Sequence, residues 1–141
     1  MDNVAAHRTL SDITIGETAD FERTISESDV SAFAHLSGDF NPLHVDSAYA
    51  QKTKFGRRLV HGMLLGSLCS RMVGMYVPGE KCLYLRQTLT FKKPVHIGDT
   101  VKVLGRVASK SVSTKIIEVE ISMLRDGEEV VSGVATVQLL E

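Results

Sequence analysis

The sequence predicts an α+β domain in which one long central helix is wrapped by an antiparallel β-sheet. Gly62 to Val77 is an apolar-rich run whose Leu64, Leu65, Leu68, Met72, Met75 and Tyr76 cover more than one helical face. That pattern marks a buried helix, and Pro78-Gly79 ends it. From Cys82 onward the period changes to two. Leu83, Leu85, Leu89 and Phe91 alternate, with Gln87 interrupting; Val101, Val103 and Val107 follow, then Ile117, Val119, Ile121 and Met123, then Val131, Ala135, Val137 and Leu139. The links are short turns, Pro94 to Asp99 being turn-rich and Asp126-Gly127 a hairpin signal. Strands joined in series this way pair antiparallel.

The remaining elements fall in order before the central helix. Residues 1–12 read as an irregular arm, and 13–141 as a single domain, long enough to bury a core without disulfides or metal. Gly16 to Thr24 alternates weakly, as a first strand does. Ser26-Glu27-Ser28-Asp29 carries a capping-box start, and Val30, Phe33, Ala34 and Leu36 have helical spacing behind it. Gly38 suits the left-handed residue after that helix. Asp46 caps a short helix through Ser47 to Gln51, and Lys52 to Arg58 is a basic loop. Gly62, Gly66, Ser70 and Gly74 trace a slanting stripe of small residues; Gly66 and Gly74 suit close packing of sheet on helix. Ile116, Val130, Val134 and Leu140 are apolar but off phase, so the sheet is expected to meet a second copy of the chain.

Composition excludes several classes. A net charge of −1 implies no nucleic-acid partner. The helical run is broken by Ser67, Ser70 and Arg71, too short and too polar to span a membrane. Met1 to Asp12 has one basic residue, Arg8, and no apolar stretch, so no secretory signal is expected. Cys69 and Cys82 lack metal-like spacing and read as free thiols in a reducing, cytoplasmic setting.

The polar segment Ser37 to Asp46 concentrates the chemistry. Asp39 and His44 are five residues apart in a loop shaped by Gly38, Asn41 and Pro42. Two readings stand side by side. Asp39 can be a turn residue and His44 a surface or core histidine. Alternatively, the carboxylate and the imidazole hold one water between them as an acid/base pair.

The segment Gly38-Asp39-Phe40-Asn41-Pro42-Leu43-His44-Val45-Asp46, followed by Leu59-Val60-His61-Gly62-Met63, resembles the hydratase-2 motif of MaoC-like (R)-specific enoyl-CoA hydratases, which have a hot-dog fold. The resemblance runs from about Ile13 to the C-terminus and includes Thr90 to Asp99. It implies a lyase that adds water reversibly to trans-2-enoyl-CoA, giving (R)-3-hydroxyacyl-CoA. It implies Asp39 as the base, His44 as its partner in positioning water and delivering a proton, and the backbone N–H of Gly62 as oxyanion donor. Asn41 would brace the loop or touch substrate. His61 would serve structure or site, and Ser70 helix packing or a hydrogen bond to the site. Arg57 or Arg58, with Lys52 and Lys54, would meet the phosphates of coenzyme A or simply be solvated. No metal and no separate cofactor are implied, and a homodimer or dimer of dimers is expected.

Three competing activities use similar ligands. One is a 3-hydroxyacyl-acyl-carrier-protein dehydratase. A hot-dog thioesterase is disfavoured because Gly62 to Val77 contains no carboxylate. A non-catalytic acyl-CoA binding module is disfavoured by the presence of both Asp39 and His44. Acyl chain length would depend on Leu65, Leu68 and Val73. Polyhydroxyalkanoate supply, fatty-acid metabolism and carboxylic-acid assimilation all remain open as settings.

Overall fold

The structure is a computed structural model and describes residues 3–140; Met1 and Asp2 of the expected arm and the terminal Glu141 lie outside the described residues. Five antiparallel strands form one sheet: β1 (Thr18–Thr24), β2 (Cys82–Phe91), β3 (Thr100–Ser111), β4 (Ile116–Arg125) and β5 (Glu128–Leu139). Their spatial order is β1-β3-β4-β5-β2, so β1 and β2 are the two edges. The β4–β5 hairpin turns on Asp126 and Gly127, both at positive φ (51° and 77°), as a two-residue turn that follows strand twist requires.

Two bulges correct the expected phase. In β5, Met123 pairs with Val131 but Leu124 pairs with Glu129, so Val130 is the inserted residue. Val130 and Val131 are therefore both buried. The apolar Val130 needs no partner chain to explain it. In β2 the register slips between Tyr84 and Arg86. Leu83 and Leu85 consequently point outward, 49% and 47% exposed, while Leu89 packs on the core. The expectation that Leu83 and Leu85 share one buried face with Leu89 fails because an inserted residue inverts the side-chain alternation.

The central helix, α4 (Gly62–Arg71), continues as a π-helical turn over Met72–Tyr76. Leu64, Leu65, Cys69, Met72 and Val73 enter the core against the inward valines of β3, β4 and β5. The opposite face is open: Met63 is 60% exposed, and Ser67 and Ser70 are exposed too. The helix is thus central but not buried all round. Its small residues divide as well. A Cβ on Gly66 would stand 2.9 Å from Leu89 Cδ1, the movable end of a β2 side chain, whereas one on Gly74 would meet nothing within 4 Å. Gly74 therefore plays no part in the close packing expected of it. A closer approach comes from β3, where a Cβ on Gly105 would meet Met72 Sδ at 2.7 Å.

Ahead of the sheet's long strands lie three helical segments, α1 (Glu27–Ser37), α2 (Pro42–Val45) and α3 (Ser47–Gln51). The expected capping box is present: Asp29 N–H donates to Ser26 Oγ (3.1 Å), and Ser26 N–H donates to Asp29 (2.9 Å). Such a cap is worth roughly 1 kcal/mol. Val30 and Ala34 are buried, but Leu36 is 87% exposed and stands off the helix's packed face. The N-terminal arm is docked rather than free. Ala6 N–H donates to Met75 O (3.0 Å) and Ala6 O accepts from Glu80 (2.9 Å). Leu10, in a 3-10 turn over Leu10–Asp12, joins the core.

Candidate active site

The Ser37–Asp46 loop is built by side chains that replace missing backbone partners. Gly38 ends α1 at φ 79°, its N–H donating to Ala34 O (2.9 Å). The Ser37 hydroxyl donates to Phe33 O (2.7 Å) and accepts from Asp39 N–H (3.1 Å). Asp39 Oδ1 accepts from Asn41 N–H (3.1 Å), an Asx turn. Asn41 Oδ1 accepts from Leu43 N–H (3.0 Å) and so caps α2, with Pro42 in its first turn. Asn41 thus holds the loop's shape. α2 carries His44 in its single turn, where it is half-buried.

A second segment closes on this loop. Leu59 N–H donates to Leu43 O (3.1 Å), and Val60 N–H donates to Val95 O (2.8 Å). His44 Nδ1 lies 2.8 Å from Leu59 O. A carbonyl oxygen only accepts, so Nδ1 carries the hydrogen. His61 Nε2 lies 3.0 Å from Asp39 O and, by the same reasoning, donates. The two imidazoles stack with centroids 4.0 Å apart and planes at 28°, and Phe33 packs against His61 at 4.9 Å. One ligating atom from each of Asp39, His44 and His61 lies within 4.8 Å of the other two. His61 is 2% exposed, and Asp39 is exposed. Immediately after His61, Gly62 is the first residue of α4, where backbone N–H groups lack intrahelical acceptors and the helix dipole is positive.

The cluster has a definite chemical capability. Leu59 O accepts Nδ1–H from either the neutral or the protonated ring. Only Nε2 of His44 changes its protonation, so the ring can move a proton without losing its anchor. The carboxylate of Asp39 offers acceptor sites beside it. Together they suit one water. Two imidazoles and a carboxylate are also a familiar ligand set for a transition metal. An ion takes in-plane lone pairs at about 2.0–2.1 Å, and rings stacked face to face send those lone pairs nearly side by side rather than to one point. The arrangement fits a hydrogen-bonded water better than an ion.

The other expected residues are placed as follows. Ser70, eight residues beyond Gly62 in α4, is exposed and has no hydrogen bond to the cluster among the described residues. Arg58 pairs with Glu27 of α1 (2.5 Å), and its side chain is only 17% exposed. Arg57 stays 62% exposed, with a long contact of 3.8 Å to Asp99. Both line a small open pocket of about 170 Å³ with Ser47, Gln51 and Ile97. Behind it, burial pushes the His96 imidazole pKa down, with Arg57 adding to the effect and Asp99 opposing it. Leu65 and Val73, expected to line an acyl tunnel, are core residues at 3% and 1% exposure. Two features escaped the sequence: the Leu59 carbonyl, which carries no side-chain signal, and the stacking of His61 on His44.

No helix of the structure is long and apolar enough to cross a membrane. The chain is 41% identical over 128 residues to the (R)-specific enoyl-CoA hydratase of Rhodospirillum rubrum, an alignment covering 91% of this chain and 89% of that one. It is 36% identical to a mitochondrial 3-hydroxyacyl-[acyl-carrier-protein] dehydratase of Solanum lycopersicum, over 90% of this chain and 78% of the relative. Among solved structures it resembles the (R)-hydratase from A. caviae involved in PHA biosynthesis, with a TM-score of 0.88, 40% identity and coverage of 90% and 97%. With the MaoC like domain matching residues 11–128, the hot-dog arrangement of helix and sheet and the loop that joins Asp39 to His44, the chain belongs to the MaoC-like family.

Proposed function

We propose that the chain is an (R)-specific enoyl-CoA hydratase in which Asp39 and His44 hold one water against the double bond. The observation that carries this reading is the convergence of Asp39, His44 and the N-terminus of α4 at one place, from segments separated by the basic loop. Asp39 takes a proton from water as its oxygen attacks Cβ. His44 Nε2–H delivers a proton to Cα, and the Asp39 proton then resets His44. One water is added, and both groups return to their starting states. Negative charge passes to the thioester oxygen as the enolate forms, and Gly62 N–H, fixed beforehand by the helix, donates a hydrogen bond to that oxygen. A Cβ at Gly62 would press on the Phe91 ring at 3.1 Å. The pocket beside Arg57 and Arg58 suits the phosphates of coenzyme A. The reaction calls for no separate cofactor.

The tomato relative favours a second substrate form, the acyl-carrier-protein thioester. The unpaired β2 edge, with Leu83 and Leu85 facing outward, suits assembly as a homodimer or a dimer of dimers. Free Cys69 and Cys82 suit the cytoplasm.

The test follows loss of enoyl absorbance from crotonyl-CoA and determines the product's configuration. Wild type hydrates it to the R product, and Asp39→Asn and His44→Ala lose most of kcat. Release of free thiol without hydration would sink the hydratase reading in favour of a thioesterase. A kcat/KM at least tenfold higher with crotonyl-acyl carrier protein would select the second substrate form.

A further inference from the structure

Among the described residues His61 is the one buried polar side chain, 2% exposed, and its cost is visible. Nε2 is satisfied by Asp39 O at 3.0 Å, but Nδ1 has no hydrogen-bond partner among the described residues. An apolar side chain of similar volume would fill the gap between Phe33 and His44 without that desolvation cost. Packing alone therefore does not account for a histidine here. Residues that break local consistency in this way mark functional positions.

The ring joins two parts of the site that chain connectivity leaves separate, and the residue's backbone adds a link to a third. Its N–H holds the backbone carbonyl of Asp39, an exposed residue. One ring face lies on His44 at 4.0 Å. Its own carbonyl accepts the N–H groups of Leu64 (3.1 Å) and Leu65 (3.3 Å), fixing the first turn of α4 behind Gly62.

We propose that His61 is a positioning residue of this site: by holding the Asp39 carbonyl and the His44 ring, it sets the separation between the two groups that share the water. It acts through Asp39 and His44, not on substrate, and the inference rests on the hydratase reading above. Misplacing a reacting group by about 1 Å can cost on the order of a hundredfold in rate, so the effect should fall on kcat.

Three variants test it with crotonyl-CoA: His61→Leu, His61→Gln and the double variant with Asp39→Asn. Leucine fills the space but donates no hydrogen bond. Glutamine places an amide N–H near the position of Nε2. The expected result is a loss of kcat of about tenfold to a hundredfold in His61→Leu, with KM changed less than about threefold. Glutamine recovers at least half of that loss on a logarithmic scale. In the Asp39→Asn background His61→Leu costs little more, because the residue acts through Asp39. His44 ring-proton resonances, shifted in the wild type by the stacked neighbour, move in both His61 variants whatever the activity. If wild type hydrates crotonyl-CoA but His61→Leu matches it, or glutamine falls as far as leucine, or the two losses simply add, His61 is a packing residue and the inference is wrong. An inactive wild type overturns the hydratase reading and the inference that rests on it, whereas an active wild type matched by His61→Leu overturns the inference alone.

Discussion

Gly62→Ala separates the chemical from the structural reason for a glycine at the start of α4. Gly62 does not occupy the left-handed region, so alanine meets no backbone strain. The added methyl would lie 3.1–3.2 Å from three atoms of the Phe91 ring, a few tenths of an ångström inside comfortable contact. Phe91 is 47% exposed on an edge strand, so the ring can give way. Alanine also favours helix by up to about 1 kcal/mol over glycine, less at a helix's first position. The two effects oppose each other, and the net change in stability should stay within about 1 kcal/mol. Activity should respond differently. The methyl stands beside the N–H that the thioester oxygen must approach, and loss of one such donor costs about 2.7–4 kcal/mol, or 10²–10³ in kcat. The assay pairs crotonyl-CoA hydration with thermal unfolding of the same preparation. A variant that keeps kcat within threefold of wild type would refute the oxyanion role. A large fall in Tm would show that the glycine serves packing against Phe91.

Three further outcomes follow from the structure. The stacked imidazoles do not converge on one ion, so dialysis against a strong chelator should leave hydration of crotonyl-CoA within about 20% of the untreated rate. The Arg8 hydrogen bond lowers the Glu17 pKa below its usual value despite partial burial, and Arg8 thereby ties the arm to β1. A depressed folded pKa stabilises above the unfolded value, about 4.3, and that stability is lost as pH falls through the folded value. Glu17→Gln should therefore cost roughly 0.5–1 kcal/mol at pH 7, and the gap to wild type should narrow progressively as pH falls below the unfolded value, read by thermal unfolding across that range. Burial raises the Cys69 thiol to about 11 and leaves it 1% exposed. At pH 8 a thiol reagent followed by mass mapping should leave Cys69 unlabelled until denaturant is added.

Why the helix and the loop were legible while half of β2 was not follows from the range of the interactions involved. Ser26 with Asp29, Gly38, Asn41 before Pro42, and Asp126-Gly127 all act within four residues, so their effects are written where they occur. The β2 bulge depends on how that strand registers against β5, about 50 residues later, and no local pattern records it. Hence simple alternation puts Leu83 and Leu85 on the wrong face. Val130 misled in the opposite sense, since its off-phase burial comes from an inserted residue rather than from a partner. The site divides along the same line. Asp39 and His44 carry a local signal, because one short loop holds both. His61 is 22 residues from Asp39 in the chain, and a lone histidine before a helix gives no hint of which ring it will meet. The Leu59 carbonyl is a backbone atom, identical in every residue, yet it decides which nitrogen of His44 carries the anchored hydrogen and which is left free of that bond. The proposed chemistry therefore rests on two long-range contacts, one to Asp39 and one to His44, that no motif spells out. Substitutions at His61, or in the backbone run through Leu59, are where this site should prove more sensitive than its motif suggests.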